Sequence, residues 1–450
     1  MRMMLHLLLV VSFLISRCQS FIDGRIIDRT VHKRFPSGLY SKKISFELRP
    51  SINSIPSEDW NSCLQEESTP FLEHAWLSCL EESGCASPAT GWAPQHICIQ
   101  IEGQTLGYVP LYIKGHSMGE FIFDNSWADA AYQSGITYYP KLLVAVPFTP
   151  ATGHRILLKP EVWGTFKDTE ISQVRKAVAT FLIQVAESNR LSSIHFNFLT
   201  EAEATELSGS LPILKSLEGD SEGDEQQQSF STQVKGMLNR ISLNKGSGYL
   251  RRTSIQYHWT NENSNNNGLP YSSFDDYLRC FKSKRRITIK RERRLVLEEE
   301  DIRIDSVMGT DILKYDGLVE RMFEIYLSTV DKMIWGRQYL TLDFFQRLAK
   351  SDFVRNLCFL CARPRSSGEE LRAEDVFAGT LNIVKNGVFY GRYWGCLPGR
   401  EIKNLHFETC YWSAIDFCIN NSIRRMEPGA GGGGECSNLT HHGIDSFWSS

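Results

Sequence analysis

The chain has 450 residues, 42% hydrophobic and 22% charged, with a net charge of −3 and a pI near 6.4. That length exceeds one ordinary domain and predicts two or three, and the charge excludes a globally basic nucleic-acid binder while leaving room for local patches. Twelve cysteines, spread irregularly from Cys18 to Cys436, argue against a disulfide framework and for reduced interior thiols.

In chain order, Leu5 to Ile15 is an apolar run too short to span a membrane, followed by the small-x-small pattern Cys18-Gln19-Ser20. Arg25, Arg29, Lys33, Arg34, Lys42 and Lys43 then outnumber their acids. Residues 1–56 are therefore expected to be a targeting segment for an organelle, plastid or mitochondrion, with a secretory signal peptide as the alternative. No integral membrane segment is expected after processing.

A first unit is expected over 57–208. Ser68 to Gly84 predicts a helix capped by Thr69, with Pro70 at its first position and Gly84 as its stop. A hairpin about Glu102-Gly103 follows, and "GEFIFDN" reads as a further strand. The apolar run Lys141 to Phe148 predicts a central strand. Ile171, Val174, Val178, Phe181 and Val185 mark an amphipathic helix, and "SSIHFNFL" alternates as a strand with His195 on its solvated face. Residues 209–248, acidic and glutamine-rich, are expected to be a disordered insertion.

A second unit is expected over 249–430. "SIQYHW" resumes as a strand, "SSFDDYLRCF" as a short helix, and "KSKRRITIKRERR" holds eight cations: Lys282, Lys284, Arg285, Arg286, Lys290, Arg291, Arg293 and Arg294. That arm reads either as a solvated helix balanced by Glu298 to Asp301 or as a binding surface for phosphates or RNA. Helical patterns at Leu318 to Val330 and Leu342 to Leu348 lead to the strand "VRNLCFLCA". Its Cys358 and Cys361 form one CxxC, but a structural zinc needs four ligands and no second pair accompanies it, so no metal is predicted. Asn386-Gly387 then signals a hairpin whose second strand crowds Phe389, Tyr390, Arg392, Tyr393 and Trp394 together. A helix over Asn404 to Asn420 and the strand "SIRRMEPGA" close the pattern. Both halves run hairpin, helix, strand, which predicts two copies of one mixed α/β unit.

No GxGxxG, P-loop, GxSxG or HExxH motif is present, which removes support for the corresponding hydride, phosphoryl and hydrolytic chemistries. Candidate catalytic groups are His406 and Glu408 at the start of the Asn404 helix and Glu427 in "IRRMEPG", any of which can take a proton from an attacking amine. Tyr390, Arg392 and Trp394 are candidate substrate-binding residues.

Several long blocks, among them "GWAPQHI", "VPLYIKGHSMGEFIFDNSWADAAY", "YYPKLLVAVPFTPATGHRIL", "FDDYLRCFKSKRRITIKRERR", "LHFETCYWSAIDF" and "MEPGA", resemble the FemAB-like predicted N-acyltransferases. The resemblance implies an α/β fold of mixed sheets in two tandem GNAT-like acyltransferase units. It implies transfer of an acyl group from acyl-CoA, or of an aminoacyl group from tRNA, to an amine. A catalytically inactive binding module and an RNA-associated protein remain the alternatives. One departure stands out: after Ala430 this chain runs into a glycine tract, 431–450, in place of a Gln-Gly-Glu-His-Lys-like segment, so the second unit is expected to lack its closing strand.

Overall fold

The computed structural model describes residues 30–33, 44–122, 124–209, 249–263, 266–332, 338–429 and 440–449. The apolar run at Leu5, most of the basic stretch after it, the acidic segment from residue 210 and the glycine tract lie outside the described residues. The rest divides into two units: residues up to Ser68 with Ala86–Ser254 and Ile444–Ser450, and Thr69–Cys85 with Ile255–Gly443.

In the first unit the strands are β1 (Thr30–Lys33), β2 (Ile44–Arg49), β3 (Trp92–Pro94), β4 (His96–Ile101), β5 (Gln104–Val109), β6 (Leu111–Lys114), β7 (Lys141–Val144), β8 (Leu157–Leu158) and β9 (Ile194–Leu199). One antiparallel sheet runs β1-β2-β4-β5-β8. The other runs β3-β6-β7-β9, antiparallel except for the parallel pair β7 and β9. A parallel pair needs a long crossover, and the Asp168–Ser188 helix supplies it. Its predicted stripe, Ile171 to Val185, is buried, with Phe181 stacked on Phe46 at 4.7 Å. The β4–β5 turn falls at Glu102-Gly103, both with positive φ, as the sequence predicts.

The second unit contains the end of β10 (Leu250–Thr260), then β11 (Ile302–Met308), β12 (Leu357–Pro364), β13 (Ala378–Lys385), β14 (Val388–Cys396) and β15 (Arg425–Glu427), in the order β11-β12-β13-β14-β15-β10. The hairpin turn is Asn386-Gly387, with φ of 50° and 72°. From β14 the chain passes through a helix over residues 405–420, which includes a π-helical turn at Glu408–Trp412, and returns as β15 parallel to β14. The two units thus repeat one plan: antiparallel pair, crossover helix, parallel return strand. Cys358 and Cys361 are interior positions of β12, and none of the described cysteines forms a disulfide.

Four expectations change. "GEFIFDN" is not a strand, because Gly119 and Phe121 take positive φ and the segment turns to bury Glu120 and Asp124. "SSIHFNFL" does form β9, but all six of its residues are buried, His195 included. The Ser68 to Gly84 helix is split: Pro70–Leu72 is a 3-10 turn, Glu73 is extended, and the helix proper is His74–Glu82, which belongs to the second unit. The terminal segment is not all tail, since Thr440–Ser449 is a strand whose Asp445–Ser449 pair antiparallel with β9.

Glu73 explains the break. Its buried carboxylate accepts from Asn356 at 3.0 Å and pairs with Arg355 at 3.0 Å and Lys385 at 2.8 Å, which an uninterrupted helix would not satisfy in the same place. Removing it leaves Lys385 and Asn356 uncompensated. We expect Glu73→Ala to cost about 3 kcal/mol, read as a lower urea midpoint at unchanged m-value; an unchanged midpoint would show that the segment is held by its apolar face alone.

Candidate functional site

In open sheets, ligands favour the carboxyl ends of parallel strands, where the ladder stops. The second unit has such an end. β14 and β15 pair only as far as Tyr390 and Glu427, while β14 continues to Cys396 beside β13. Opposite Leu381 and Asn382 the register skips, so Arg392 is the extra residue of a β-bulge. Gly391 lets the backbones approach closely, since a Cβ there would stand 3.1 Å from the Pro428 carbonyl oxygen and push it aside by a few tenths of an ångström.

Three groups of the predicted residues form. Tyr390, Arg392 and Glu427 come together at the strand ends, joined by two residues the sequence reading left out: Arg425, 2.7 Å from Glu427, and His258, 3.9 Å away. Burial pushes the Glu427 carboxyl up to about 7 against the pull of Arg425 and Arg392. Tyr390 is interior, edge-on to Phe71 at 5.2 Å, and Arg392 lies over the same ring. Trp394 and His406 form a second contact, with ring centroids 5.4 Å apart. Burial lowers the His406 pKa. Glu408 forms the third. It is buried in the π-turn, accepts from Ser413 at 2.7 Å, and pairs with Arg293 at 3.2 Å. Its pKa is raised, by burial first.

The basic arm is a helix, Ser283–Arg294. Lys290 pairs with Asp275, Arg294 with Glu299, and Arg293 with Glu408 and Asp416. Arg285 lies over the Trp412 ring. These cations are spent on the fold. Lys282, Lys284 and Arg291 have no acidic partner among the described residues.

The corresponding strand end of the first unit is filled from within. The buried Arg155 guanidinium donates to the carbonyls of Ala151, Gly153, His154 and Asn197. Glu203 secures the same loop by accepting from the backbone N–H groups of Arg155 and Ile156.

At the opposite end of β7 lies a cluster that sequence reasoning missed. The Lys141 ammonium sits 3.0 Å from Glu120 Oε2, 2.9 Å from Asp124 Oδ2 and 3.3 Å from His195 Nδ1, and all four residues are buried. It also lies over the rings of Tyr138 and Tyr139, whose hydroxyls donate to Asp124. Lys114, on β6, bonds His116 and lies over the Trp92 ring. Burial, partly opposed by Glu120, brings Lys114 down to about 7; burial, opposed mainly by Lys141, brings Glu120 up to about 7. Burial and the neighbouring Lys141 keep His195 neutral. Glu120, Asp124 and His195 could span a metal ion, with ligand atoms within 4.8 Å of one another, but the Lys141 ammonium already stands among them. The available signal was cations ending or starting apolar strands, "LYIK" and "KLLV", with three acids between, Glu120, Asp124 and Asp129.

A family model described as FemAB-like, peptidoglycan biosynthesis/recognition, matches residues 51–219 and 222–437. Among solved structures, FemX is 9% identical over 87% of this chain and 94% of its own, with a TM-score of 0.42. L-PGS from Bacillus licheniformis is 7% identical over 83% and 89%, at 0.39. A tandem GNAT protein from the clavulanic acid biosynthesis pathway is 9% identical over 90% and 98%, at 0.38. At identities and scores this low the likenesses say nothing of activity. No curated protein matches the chain. The family match covers most of both units, and the chain belongs to the FemAB-like family.

Proposed function

We propose that this protein is an N-acyltransferase that moves an acyl group from a thioester, or an aminoacyl group from tRNA, to an amine by direct attack in a ternary complex. Family membership supports a transferase, and one observation carries the placement: in the second unit a buried carboxylate, Glu427, stands where β15 ends beside the Arg392 bulge of β14. Amide formation from an ammonium needs the loss of a proton before attack, and a carboxylate titrating near 7 is matched to that task. Beyond Tyr390, β14 has no ladder partner on the β15 side among the described residues, so backbone N–H groups there can polarise a donor carbonyl. Alignment of amine and carbonyl supplies much of the acceleration, and one such N–H donor is worth on the order of a hundredfold or more. His406 and Glu408 have smaller parts in this reading, since Glu408 is engaged by Arg293 and Ser413.

Thermal unfolding with a panel of acyl-CoA esters tests donor binding. One ester at a hundred times its dissociation constant should stabilise the native state by about 2.7 kcal/mol. A cooperative transition that neither the esters nor aminoacyl-tRNA moves would point to a binding module without a donor.

Glu427 must be ionised to accept the proton, so turnover should fall as pH drops below about 7. Glu427→Gln should lower turnover on the order of a hundredfold and flatten that limb. A retained limb would place the base elsewhere.

Arg392→Ala should weaken substrate affinity or turnover. Unchanged values for both would remove Arg392 from the site.

A further inference from the structure

The cluster around Lys141 stands outside the proposed transfer site and is costly to build. Taking a charge out of water costs several kcal/mol per ion unless its partners are well placed. Here two lysines, a glutamate and an aspartate are buried together at the ends of β6 and β7. The chain spends residues 115–140 on this end, where the matching β13–β14 connection of the second unit is only Asn386-Gly387. A turn would have been enough to close the sheet.

The hydrogen bonds show what the cluster lacks. An ammonium has three donors. Lys141 is hydrogen-bonded to Asp124 Oδ2 and His195 Nδ1, and its ammonium stands 3.0 Å from Glu120 Oε2 as an ion pair. Asp124 Oδ2 also accepts from both tyrosine hydroxyls, and Lys114 is engaged by His116. Three buried carboxylate oxygens, Glu120 Oε1, Glu120 Oε2 and Asp124 Oδ1, have no hydrogen-bond partner. What these three oxygens lack is a donor. Tyr138 and Tyr139 line the cluster with ring faces, which favour a cation. They are half-buried and so reach both the cluster and the surface. A divalent metal would meet two ammonium groups at this place, whereas a single organic ammonium meets a weaker repulsion and brings the donors required.

We propose that Glu120 and Asp124, framed by Tyr138 and Tyr139, form a binding site in the first unit for the ammonium group of a primary amine. Lys141 fixes the two carboxylates, and Lys114, the second buried cation of the cluster, competes with the ligand. This assignment does not depend on the transferase reading, because the site is defined by binding alone.

The test uses the full chain and ethylammonium chloride as the probe, with ethanol as its neutral counterpart and potassium chloride at equal ionic strength, followed by thermal unfolding and calorimetric titration. The proposal expects saturable stabilisation by ethylammonium only. Glu120→Gln should lower that affinity about tenfold. Lys114→Met, which removes a buried competing charge, should raise it by a similar factor. Should Glu120→Gln fail to fold, the Lys114→Met gain and the wild-type selectivity still decide. No ethylammonium-specific effect, or an affinity indifferent to Lys114→Met, overturns the site. Saturable binding of zinc or magnesium alone that Glu120→Gln abolishes overturns it in favour of a metal centre.

Discussion

Each unit depends on one parallel strand pair, β7 with β9 and β14 with β15. Parallel neighbours cannot be joined by a turn, so the chain has to leave the sheet, cross one face as a helix and re-enter in the same direction. That requirement accounts for the long helix over Asp168–Ser188 and for the interrupted one over residues 405–420. It also creates the only kind of place in such a sheet where two strands end side by side with free backbone groups. In the first unit Arg155 fills that place with four carbonyl contacts. In the second unit Glu427 and the Arg392 bulge stand there instead, which is why chemistry is assigned to the second and not the first.

Buried charge supplies the other constraint. Arg155 is satisfied by main-chain carbonyls, and Arg363 by Asp305, Ser367 and the carbonyls of Gly368 and Glu369. Both arginines pin loops, and their donors are used within the fold. The Lys141 cluster differs in kind, because its carboxylates keep oxygens that no hydrogen-bond donor meets. A structural ion pair is most favourable when nothing is left over, so the surplus is what separates a candidate binding site from a staple.

Much of the fold was legible because it rests on local rules. The Asn386-Gly387 and Glu102-Gly103 turns, the Ile171 to Val185 stripe and the repeated order of elements follow from backbone preference and periodicity. Two kinds of feature were not legible. Glu73 breaks a good helical pattern for the sake of Arg355, Lys385 and Asn356, partners far away in the sequence. In "GEFIFDN" the alternation of charge and aromatic ring looks like a strand facing water, but both acids turn inward to reach Lys141. His195 was misplaced for the same reason: alternation assigns a polar residue to solvent unless the reader knows that a buried ammonium waits on the other side. The candidate site was half legible, since Tyr390, Arg392 and Glu427 do meet, whereas Arg425 and His258 join them only through sheet pairing.

The basic arm shows how charge count and available charge part company. Eight cations in thirteen residues suggest a polyanion surface, but Lys290, Arg293 and Arg294 are ion-paired, and Arg285 packs on Trp412. Through Arg293 the arm holds Glu408 and Asp416 on the helix that leads into β15, so the arm helps set where Glu427 stands. Neutralising the whole arm would therefore disturb the proposed transfer site whether or not any anion binds there. Only Lys282, Lys284 and Arg291, exposed and free of acidic partners among the described residues, can report on anion binding without also reporting on the fold.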